Sequence, residues 1–190
     1  MSQSNLADVD WSRIAAPEDD GAANHLAGSR LPDVLLAATD GSVVRLAALG
    51  GRTVVYFYPM TGQPGVALPD GWDGIAGARG CTPQSCGFRD HFAEIREAGA
   101  DRVFGLSVQD TDYQREAADR LHLPFPLLSD ATLDFANAAK LPTLAVGGKR
   151  LVKRMTIVLD DGVVSKVFYP VFPPDKNAIE VLEWLRSNPR

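Results

Sequence analysis

The sequence predicts an α/β fold in which a central, mostly parallel sheet is covered by helices on both faces. The first observation is the uncharged run TVVYFYP (Thr53–Pro59), which is typical of a buried strand at the centre of a parallel sheet. The second is the alternation of helical and strand patterns that follows it. The third is a strand hairpin near the end of the chain, followed by an amphipathic helix.

Composition narrows the functional classes. The chain has 190 residues, 45% of them apolar, so one domain with its own core is expected. The formal net charge of −5 argues against a nucleic-acid-binding surface. The sequence does not open with a basic segment and an apolar run, and no apolar stretch is long enough to span a bilayer. We therefore expect a cytoplasmic protein with no membrane partner, whose two cysteines are reactive or metal-binding rather than a permanent cross-link.

The first third of the chain divides into an extension and the start of a domain. Residues 1–28 are acidic and poor in large apolar groups, which predicts an N-terminal extension with a short helix near Leu6–Ile14. The domain is expected over residues 29–190, where DVLLAATDGSVVRL predicts two short strands around a turn at Thr39-Asp40-Gly41. After the central strand, residues 60–80 hold six glycines and two prolines, which indicates a long inserted loop.

The remaining elements alternate between helix and strand. A helix is expected over about Pro83–Ala98, with Thr82 as its N-cap and Gly99 at its end. The later elements are a strand at Arg102–Val108, a helix near Thr111–Leu121, a short strand at Phe125–Asp130, a helix at Thr132–Lys140, a hairpin at Met155–Tyr169 and a last amphipathic helix that carries Ile179, Leu182 and Leu185. This order, which ends in a hairpin and a helix, is the thioredoxin-like arrangement.

The only two cysteines, Cys81 and Cys86, stand five residues apart at the start of one predicted helix. The free N–H groups of the helix N-terminus, together with Arg79, favour the thiolate at Cys81, which is the nucleophilic form. Helix geometry places the two Cα atoms roughly 8–9 Å apart, whereas a disulfide needs less than about 7 Å. We expect a pair that is reduced in one conformation and oxidised in another, in which at least the first turn unwinds. Gly87 eases that unwinding.

Other roles for the cysteines fit less well. A structural zinc site requires four cysteine or histidine ligands, and the chain has two cysteines and three histidines in all. Dithiol exchange of the thioredoxin type requires Cys-x-x-Cys and a proline before the penultimate strand, where Lys153-Arg154 stands instead. A buried structural cysteine belongs on the apolar stripe of its helix, and Cys86 falls nearly opposite that stripe.

Three stretches, YFYP, GCTPQSC and GFRD, resemble the motifs of the peroxiredoxins, in particular the Q-type group of bacterioferritin comigratory proteins. Those proteins carry a strand ending in Tyr-Pro, a Gly-Cys-Thr with a second cysteine five residues after the first, and a Phe-Arg-Asp directly downstream. VFGLSVQD, LHLPFPLLSD and VKRMTIVLDDG are similar to further segments of the family. The resemblance runs from Leu31 to the C-terminus. It implies a thioredoxin-like fold and the reduction of hydrogen peroxide or organic hydroperoxides by a thiol.

The resemblance also implies roles for individual residues. Cys81 would be the peroxidatic cysteine, whose thiolate attacks the peroxide and becomes a sulfenic acid. Cys86 would be the resolving cysteine, which condenses with that sulfenic acid to an intramolecular disulfide. Arg154 would hold the thiolate and orient the peroxide, because a guanidinium stays charged and offers several fixed donors.

The sequence departs from the family in the loop before Cys81. The family keeps Pro-x-x-x-Thr-x-x-Cys, whose threonine hydrogen-bonds the peroxide. Here Pro59 lies 22 positions before Cys81, so about fifteen residues are inserted, and Ala78 stands at the threonine's position. Either Thr61 folds back into that role or another donor replaces it. Pro59 and Thr82 are the other candidate substrate-binding residues.

The leading hypothesis is a thiol-dependent peroxidase that needs no cofactor or metal, is re-reduced by a thioredoxin-like partner, and is a monomer or a weak homodimer. Two alternatives stay open, a general thiol–disulfide oxidoreductase and a peroxide-sensing redox switch that signals by helix unwinding. Reactivity with peroxide separates the first hypothesis from the second, and turnover with a reductant separates it from the third.

Overall fold

The computed structural model describes residues 9–190 of the chain. Part of the short helix expected near Leu6–Ile14 lies outside the described residues, and within them Trp11–Arg13 form one 3-10 turn. In the part that is described, no helix combines the length and the apolarity needed to cross a membrane.

Nine strands and five α-helices, joined by loops and short 3-10 turns, make up the described residues. The strands are β1 (Leu36–Ala38), β2 (Val43–Val44), β3 (Arg52–Phe57), β4 (Arg102–Ser107), β5 (Leu127–Ser129), β6 (Thr143–Val146), β7 (Lys149–Val152), β8 (Met155–Asp160) and β9 (Val163–Phe168). The helices are α1 (Cys81–Asp90), α2 (Phe92–Glu97), α3 (Thr111–Leu121), α4 (Asp134–Ala138) and α5 (Asn177–Ser187).

Seven strands form one sheet in the order β2-β1-β5-β4-β3-β8-β9. At its centre, β5, β4 and β3 run parallel to one another. The predicted C-terminal hairpin, β8 and β9, continues the sheet beyond β3 with antiparallel pairing. Strands β1 and β2 close the opposite end, also antiparallel. The thioredoxin-like fold predicted from the order of elements is thereby confirmed.

Strand β3 is buried along its whole length because helices cover both faces of the sheet. Its side chains alternate between the two faces, as strand geometry requires. Val55 and Phe57 enter a core that also contains residues of α4. Val54 and Tyr56 enter a second core with residues of α1, α2 and α5, and this core contains Cys81. Strand β3 therefore forms the floor beneath the cysteine helix.

The cysteine helix begins earlier and ends sooner than the sequence predicts. The expected helix over Pro83–Ala98 consists of α1 and α2, which meet at His91. Thr82 is not the N-cap, because the helix already begins at Cys81 and its N-cap is Gly80. Gly80 has a φ of 104°, in the left-handed region that favours glycine, and this backbone turn sets the start of the helix without a side-chain cap.

The sequence patterns do not indicate the two-stranded hairpin of β6 and β7, which turns at Gly147-Gly148 apart from the main sheet. Val146 and Leu151 of this hairpin pack with Trp72 in a small third core. The glycine-rich insert of residues 60–80 is therefore folded against a hairpin that the sequence analysis missed, and its tryptophan is buried.

The described part of the predicted extension packs on the domain. Ala23 and Leu26 are buried in the core on the α4 side of the sheet. The N–H of Gly28 donates a hydrogen bond to the carbonyl of Val164 in β9 at 2.8 Å. The boundary at residue 28 between the extension and the domain stays a prediction. Ala23 and Leu26, which precede that boundary, pack in the core of the domain.

A substitution at Gly105, in the middle of β4, tests how closely the core beneath α1 is packed. A Cβ added at Gly105 would lie 2.6 Å from both Leu127 Cδ2 and Tyr56 Cζ, and the Tyr56 ring stacks on Phe88 of α1 at 4.5 Å. We expect Gly105→Ala to lower the free energy of unfolding by about 1–3 kcal/mol, because the core has no room for the methyl group. Urea denaturation measures the change.

Gly74→Ala is the matched control for this substitution. No atom lies within 4 Å of a Cβ added at Gly74, and this glycine has no positive φ. Its free energy of unfolding should stay within about 0.5 kcal/mol of the wild-type value. Equal stabilities for the two variants would contradict the tight packing at Gly105.

Candidate active site

Cys81 lies at the base of α1, where the helix meets the loop that precedes it. The side chain is only 4% exposed and packs in the core between the sheet and α1. Its Sγ donates to the carbonyl of Ala78 at 3.6 Å, and no disulfide joins it to Cys86. As first residue of α1, it stands among backbone N–H groups that have no partner within the helix and carry the positive end of its dipole.

Arg154 brings a positive charge to the sulfur. This residue directly precedes β8 and is 3% exposed, and its Nη2 lies 3.2 Å from Sγ of Cys81. The same nitrogen donates to three successive carbonyls of the loop, those of Gly77 at 3.3 Å, Ala78 at 3.1 Å and Arg79 at 3.0 Å. A guanidinium stays charged and presents its donors in a fixed plane, so it stabilises negative charge on the sulfur while it shapes the loop.

A buried chain of amide and hydroxyl groups supports the guanidinium from behind. Arg154 Nη1 donates to Oε1 of Gln84 at 2.5 Å, and Gln84 Nε2 donates to Oδ1 of Asn177 at 3.0 Å. Thr156 Oγ1 donates to the same Asn177 oxygen at 2.6 Å. Gln84, Asn177 and Thr156 are completely buried, so these hydrogen bonds fix the plane of the guanidinium and link α1, β8 and α5.

Gln84 and Asn177 are not among the site residues predicted from the sequence. A signal for Gln84 existed in the spacing, because Cys81, Gln84, Ser85 and Phe88 recur at the intervals of one helical face, and all four are buried. An amide residue on the buried face of a helix requires a partner, and the partner here is Arg154. No comparable signal marks Asn177, which stands at the start of α5.

The expected contribution of Arg79 is not found in the structure. Its side chain is partly exposed and pairs with Asp73 at 3.5 Å within the insert. Only its backbone carbonyl takes part in the site, as an acceptor for Arg154. The positive charge beside the sulfur therefore comes from Arg154, the residue before β8, and the loop supplies carbonyls.

Thr61 does not fold back to the cysteine. It is buried beyond the end of β3, where its N–H and Oγ1 both donate to Oε1 of Gln109 at 2.9 and 3.1 Å. Its carbonyl accepts from Gln109 and Tyr113, and no hydrogen bond joins it to Cys81 in the described part of the chain. In this structure Thr61 is therefore a partner of Gln109, and its expected contact with the peroxide stays a prediction.

The other two candidate substrate-binding residues stay predictions. Pro59 is buried two residues beyond the end of β3. Thr82 is half-buried in the first turn of α1, directly after Cys81. Ala78, at the position of the family's threonine, is fully buried and contributes its carbonyl rather than a hydroxyl.

Cys86 stands one and a half turns further along α1 and is half-buried. Burial raises the pKa of its thiol, and the nearby Arg89 partly opposes that rise. Beyond Cys86 the helix is fixed, because Phe88 stacks on Tyr56 with an interplanar angle of 7° and Arg89 Nη1 donates to the carbonyl of Leu121 at 2.9 Å. Unwinding that brings the two sulfurs together is therefore confined to the turns before Phe88.

A pocket of about 400 Å³ leads from the surface to the guanidinium. Arg154 lines it together with Lys153, Leu144 and Tyr169. Within residues 9–190, no group of three or more His, Cys, Asp or Glu side chains is placed to hold a metal ion. The site thus combines a buried nucleophile with one fixed cation, and that cation also lines a surface pocket.

The sequence also matches known proteins. It matches the family described as Redoxin over residues 26–182. Among curated proteins it is similar to the chloroplastic peroxiredoxin Q of Oryza sativa subsp. japonica, at 36% identity over 162 residues, and to that of Arabidopsis thaliana, at 33% identity over 162 residues. Both alignments cover 84% of this chain, and they cover 66% and 67% of the two relatives. The chain thus spans about two thirds of their length.

Solved structures of other proteins are also similar to this chain. Peroxidoxin BcpB from Mycobacterium tuberculosis has a TM-score of 0.68 and 30% sequence identity, and the superposition covers 86% of this chain and 98% of that protein. The bacterioferritin comigratory protein of Xanthomonas campestris, whose structures concern its alkyl peroxide reduction activity, has a TM-score of 0.66 and 25% identity. The superposition covers 85% of this chain and 98% of that protein.

The predicted cytoplasmic location is contradicted by these comparisons. Several curated relatives, among them those of Oryza sativa and Suaeda salsa, are chloroplastic proteins rather than cytoplasmic ones. A sequence pattern without a membrane-spanning stretch does not distinguish one reducing compartment from another.

The geometry at Arg154 predicts the effect of a substitution that keeps the charge. We expect Arg154→Lys to slow the oxidation of Cys81 by hydrogen peroxide about 100-fold, because an ammonium cannot contact the sulfur, the loop carbonyls and Gln84 in one plane. Stopped-flow oxidation of the reduced protein measures the rate constant. Arg45→Lys, at an exposed arginine paired with Asp33, is the matched control and should react at the wild-type rate. An unchanged rate in Arg154→Lys would show that charge alone suffices.

Proposed function

Because the chain belongs to the redoxin family and, within it, to the Q-type peroxiredoxins, we propose that it is a thiol peroxidase that reduces hydrogen peroxide or organic hydroperoxides through Cys81. The resemblance drawn from the cysteine motif and the enzyme class that it implies are confirmed by the same matches. The alkyl peroxide reduction activity of the Xanthomonas relative supports this function. The single observation that carries the proposal is the guanidinium of Arg154, 3.2 Å from a buried sulfur.

The first step oxidises Cys81. Its thiolate attacks the terminal oxygen of the hydroperoxide, an S–O bond forms, and the O–O bond breaks. The hydroxide or alkoxide that leaves takes up a proton and departs as water or an alcohol, and the sulfur becomes a sulfenic acid. Arg154 holds the charged nucleophile in place and stabilises the negative charge that moves to the peroxide oxygens.

The second step uses Cys86. Its sulfur attacks the sulfenic sulfur of Cys81, an S–S bond forms, and the sulfenic oxygen leaves as water. Helix geometry holds the two Cα atoms roughly 8–9 Å apart, so the first turn of α1 must unwind before the bond can close. A thioredoxin-like dithiol then reduces the disulfide by exchange and is itself oxidised.

Burial of Cys81 disfavours the general oxidoreductase alternative. A disulfide on another protein must approach the attacking sulfur in line with its S–S bond, and a sulfur that is 4% exposed is closed to such a partner. A hydroperoxide is far smaller, and a pocket leads from the surface to Arg154 beside the sulfur. The geometry thus favours peroxide as the oxidant. The reductant and the oligomeric state, a monomer or a weak homodimer, stay predictions.

Intact mass spectrometry tests the proposed roles of the two cysteines. After one equivalent of hydrogen peroxide, we expect the reduced wild-type protein to lose two hydrogens within seconds. Cys86→Ser should gain one oxygen instead, as a sulfenic acid that dimedone traps. Cys81→Ser should remain unmodified and serves as the control for oxidation elsewhere. An equal rate of oxidation in Cys81→Ser would contradict the assignment, and a wild-type protein that fails to react would overturn the peroxidase function.

The raised pKa of Cys86 predicts a pH dependence of the second step. Because burial keeps Cys86 in its neutral thiol form near pH 7, the nucleophilic thiolate becomes more populated as pH rises. Disulfide formation should therefore accelerate from neutral into alkaline pH. Dimedone added at increasing times after a pulse of peroxide measures the lifetime of the sulfenic acid at each pH. A lifetime that does not depend on pH would show that helix unwinding, rather than thiol ionisation, limits this step.

A further inference from the structure

The segment of residues 9–20, here called the N-terminal strap, lies across the entrance of the active site. Trp11 packs edge-on against Phe172, with ring centroids 6.0 Å apart. Its ring also lies against Gly80, since a Cβ added at that glycine would come within 2.7 Å of it. Further along, a Cβ added at Gly77 would lie 3.5 Å from Cβ of Pro17, so the proline stands directly beside this glycine. The strap thus touches both ends of the loop whose carbonyls hold Arg154.

A polar clamp fastens the far end of the strap. Asp20 Oδ2 pairs with Nζ of Lys153 at 2.6 Å, and Oδ1 accepts a hydrogen bond from the hydroxyl of Tyr169 at 2.7 Å. These contacts hold the pKa of the Asp20 carboxyl well below its usual range. Lys153 directly precedes Arg154, so the clamp attaches the strap beside the catalytic guanidinium.

The strap and the clamp enclose the pocket of about 400 Å³. Residues of the strap supply one wall, and Ala76 and Gly77 of the insert supply another; the strap residues are Ala16, Pro17, Glu18 and Asp20. Leu144, Tyr169 and Pro170 line it with further apolar surface, and Arg154 also lines it. The Nε of Arg154 is buried and has no hydrogen-bond partner in the part of the chain that the structure describes.

We propose that the N-terminal strap is a substrate-binding wall that selects hydroperoxides with an apolar organic group, and that Pro17 and Asp20 are specificity-determining residues. This inference rests on the proposed peroxidase function. The hydroperoxide oxygens bind at Arg154 and Cys81, and the organic group occupies the pocket between the strap and the insert. Asp20 acts as a positioning residue, because it holds the strap and does not touch the reacting atoms.

The expected selectivity follows from a difference in binding between hydrogen peroxide and organic hydroperoxides. Hydrogen peroxide has no organic group, so it interacts with the guanidinium and the sulfur alone. An organic hydroperoxide makes the same contacts and in addition removes apolar surface of the pocket from water. A group the size of one methylene in an apolar pocket changes the rate about 10-fold or more, and an aromatic group is larger. The strap therefore raises the rate with organic hydroperoxides selectively.

The test compares two probes on the full-length protein. Second-order rate constants for oxidation of the reduced protein by cumene hydroperoxide and by hydrogen peroxide are measured, and their ratio is the readout. Asp20→Ala releases the clamp, and Ala76→Trp fills the pocket from an exposed position on the opposite wall. Asp33→Ala is the matched control, because it also removes a carboxylate from an ion pair, in this case with Arg45, at a place that lies outside the pocket.

We expect the ratio of the two rate constants to fall about tenfold in Asp20→Ala and in Ala76→Trp, and to stay at the wild-type value in Asp33→Ala. Wild-type oxidation by hydrogen peroxide together with an unchanged ratio in both variants would overturn the strap as a binding wall and leave the peroxidase function intact. A higher ratio in Asp20→Ala would show that the strap excludes organic peroxides, which also overturns the proposal. Failure of the wild-type protein to react with either peroxide would overturn the proposed function and the inference together.

Discussion

The buried guanidinium of Arg154 holds the reactive sulfur, the loop before it and the first turn of α1 in one arrangement. A charge in the core must be hydrogen-bonded, and here it is satisfied by three loop carbonyls, by Gln84 and by the sulfur of Cys81. The loop is therefore held through its backbone rather than through its side chains. This explains how an insert of some fifteen residues fits before the cysteine, because only its last residues need to present carbonyls to Arg154.

The cysteine helix is divided into a part that can move and a part that cannot. Phe88 stacks on Tyr56, and Tyr56 in turn fills the space that Gly105 leaves open in the neighbouring strand. The later turns of α1 are thus anchored in the core, whereas the first turn is held by the polar contacts of Arg154 and Gln84. Polar contacts of this kind can be exchanged for others when the sulfur is oxidised, while a packed aromatic stack would have to be lost.

Much of the fold could be predicted from the sequence because its signals are local. The buried central strand, the helix at Thr111–Leu121 and the C-terminal hairpin at Asp160-Asp161-Gly162 are marked by their own residues. The parts that were missed depend on distant partners. The β6–β7 hairpin packs on Trp72 of the insert, and Thr61 pairs with Gln109, forty-eight positions away. Tertiary contacts decided these features, and single-sequence patterns do not contain them.

The site shows the same division between local and distant signals. The cysteine pair could be placed at a helix start from its spacing alone, and the resemblance to the peroxiredoxins singled out Arg154, which the structure brings to the sulfur.

The contact of Trp11 with Gly80 joins residues far apart in the chain and has a thermodynamic consequence. Gly80 is the N-cap of α1, so the seat of the strap includes the start of the cysteine helix. Under the proposed dithiol chemistry, a strap that docks on the helical form alone would by linkage favour the dithiol and raise the reduction potential of the pair.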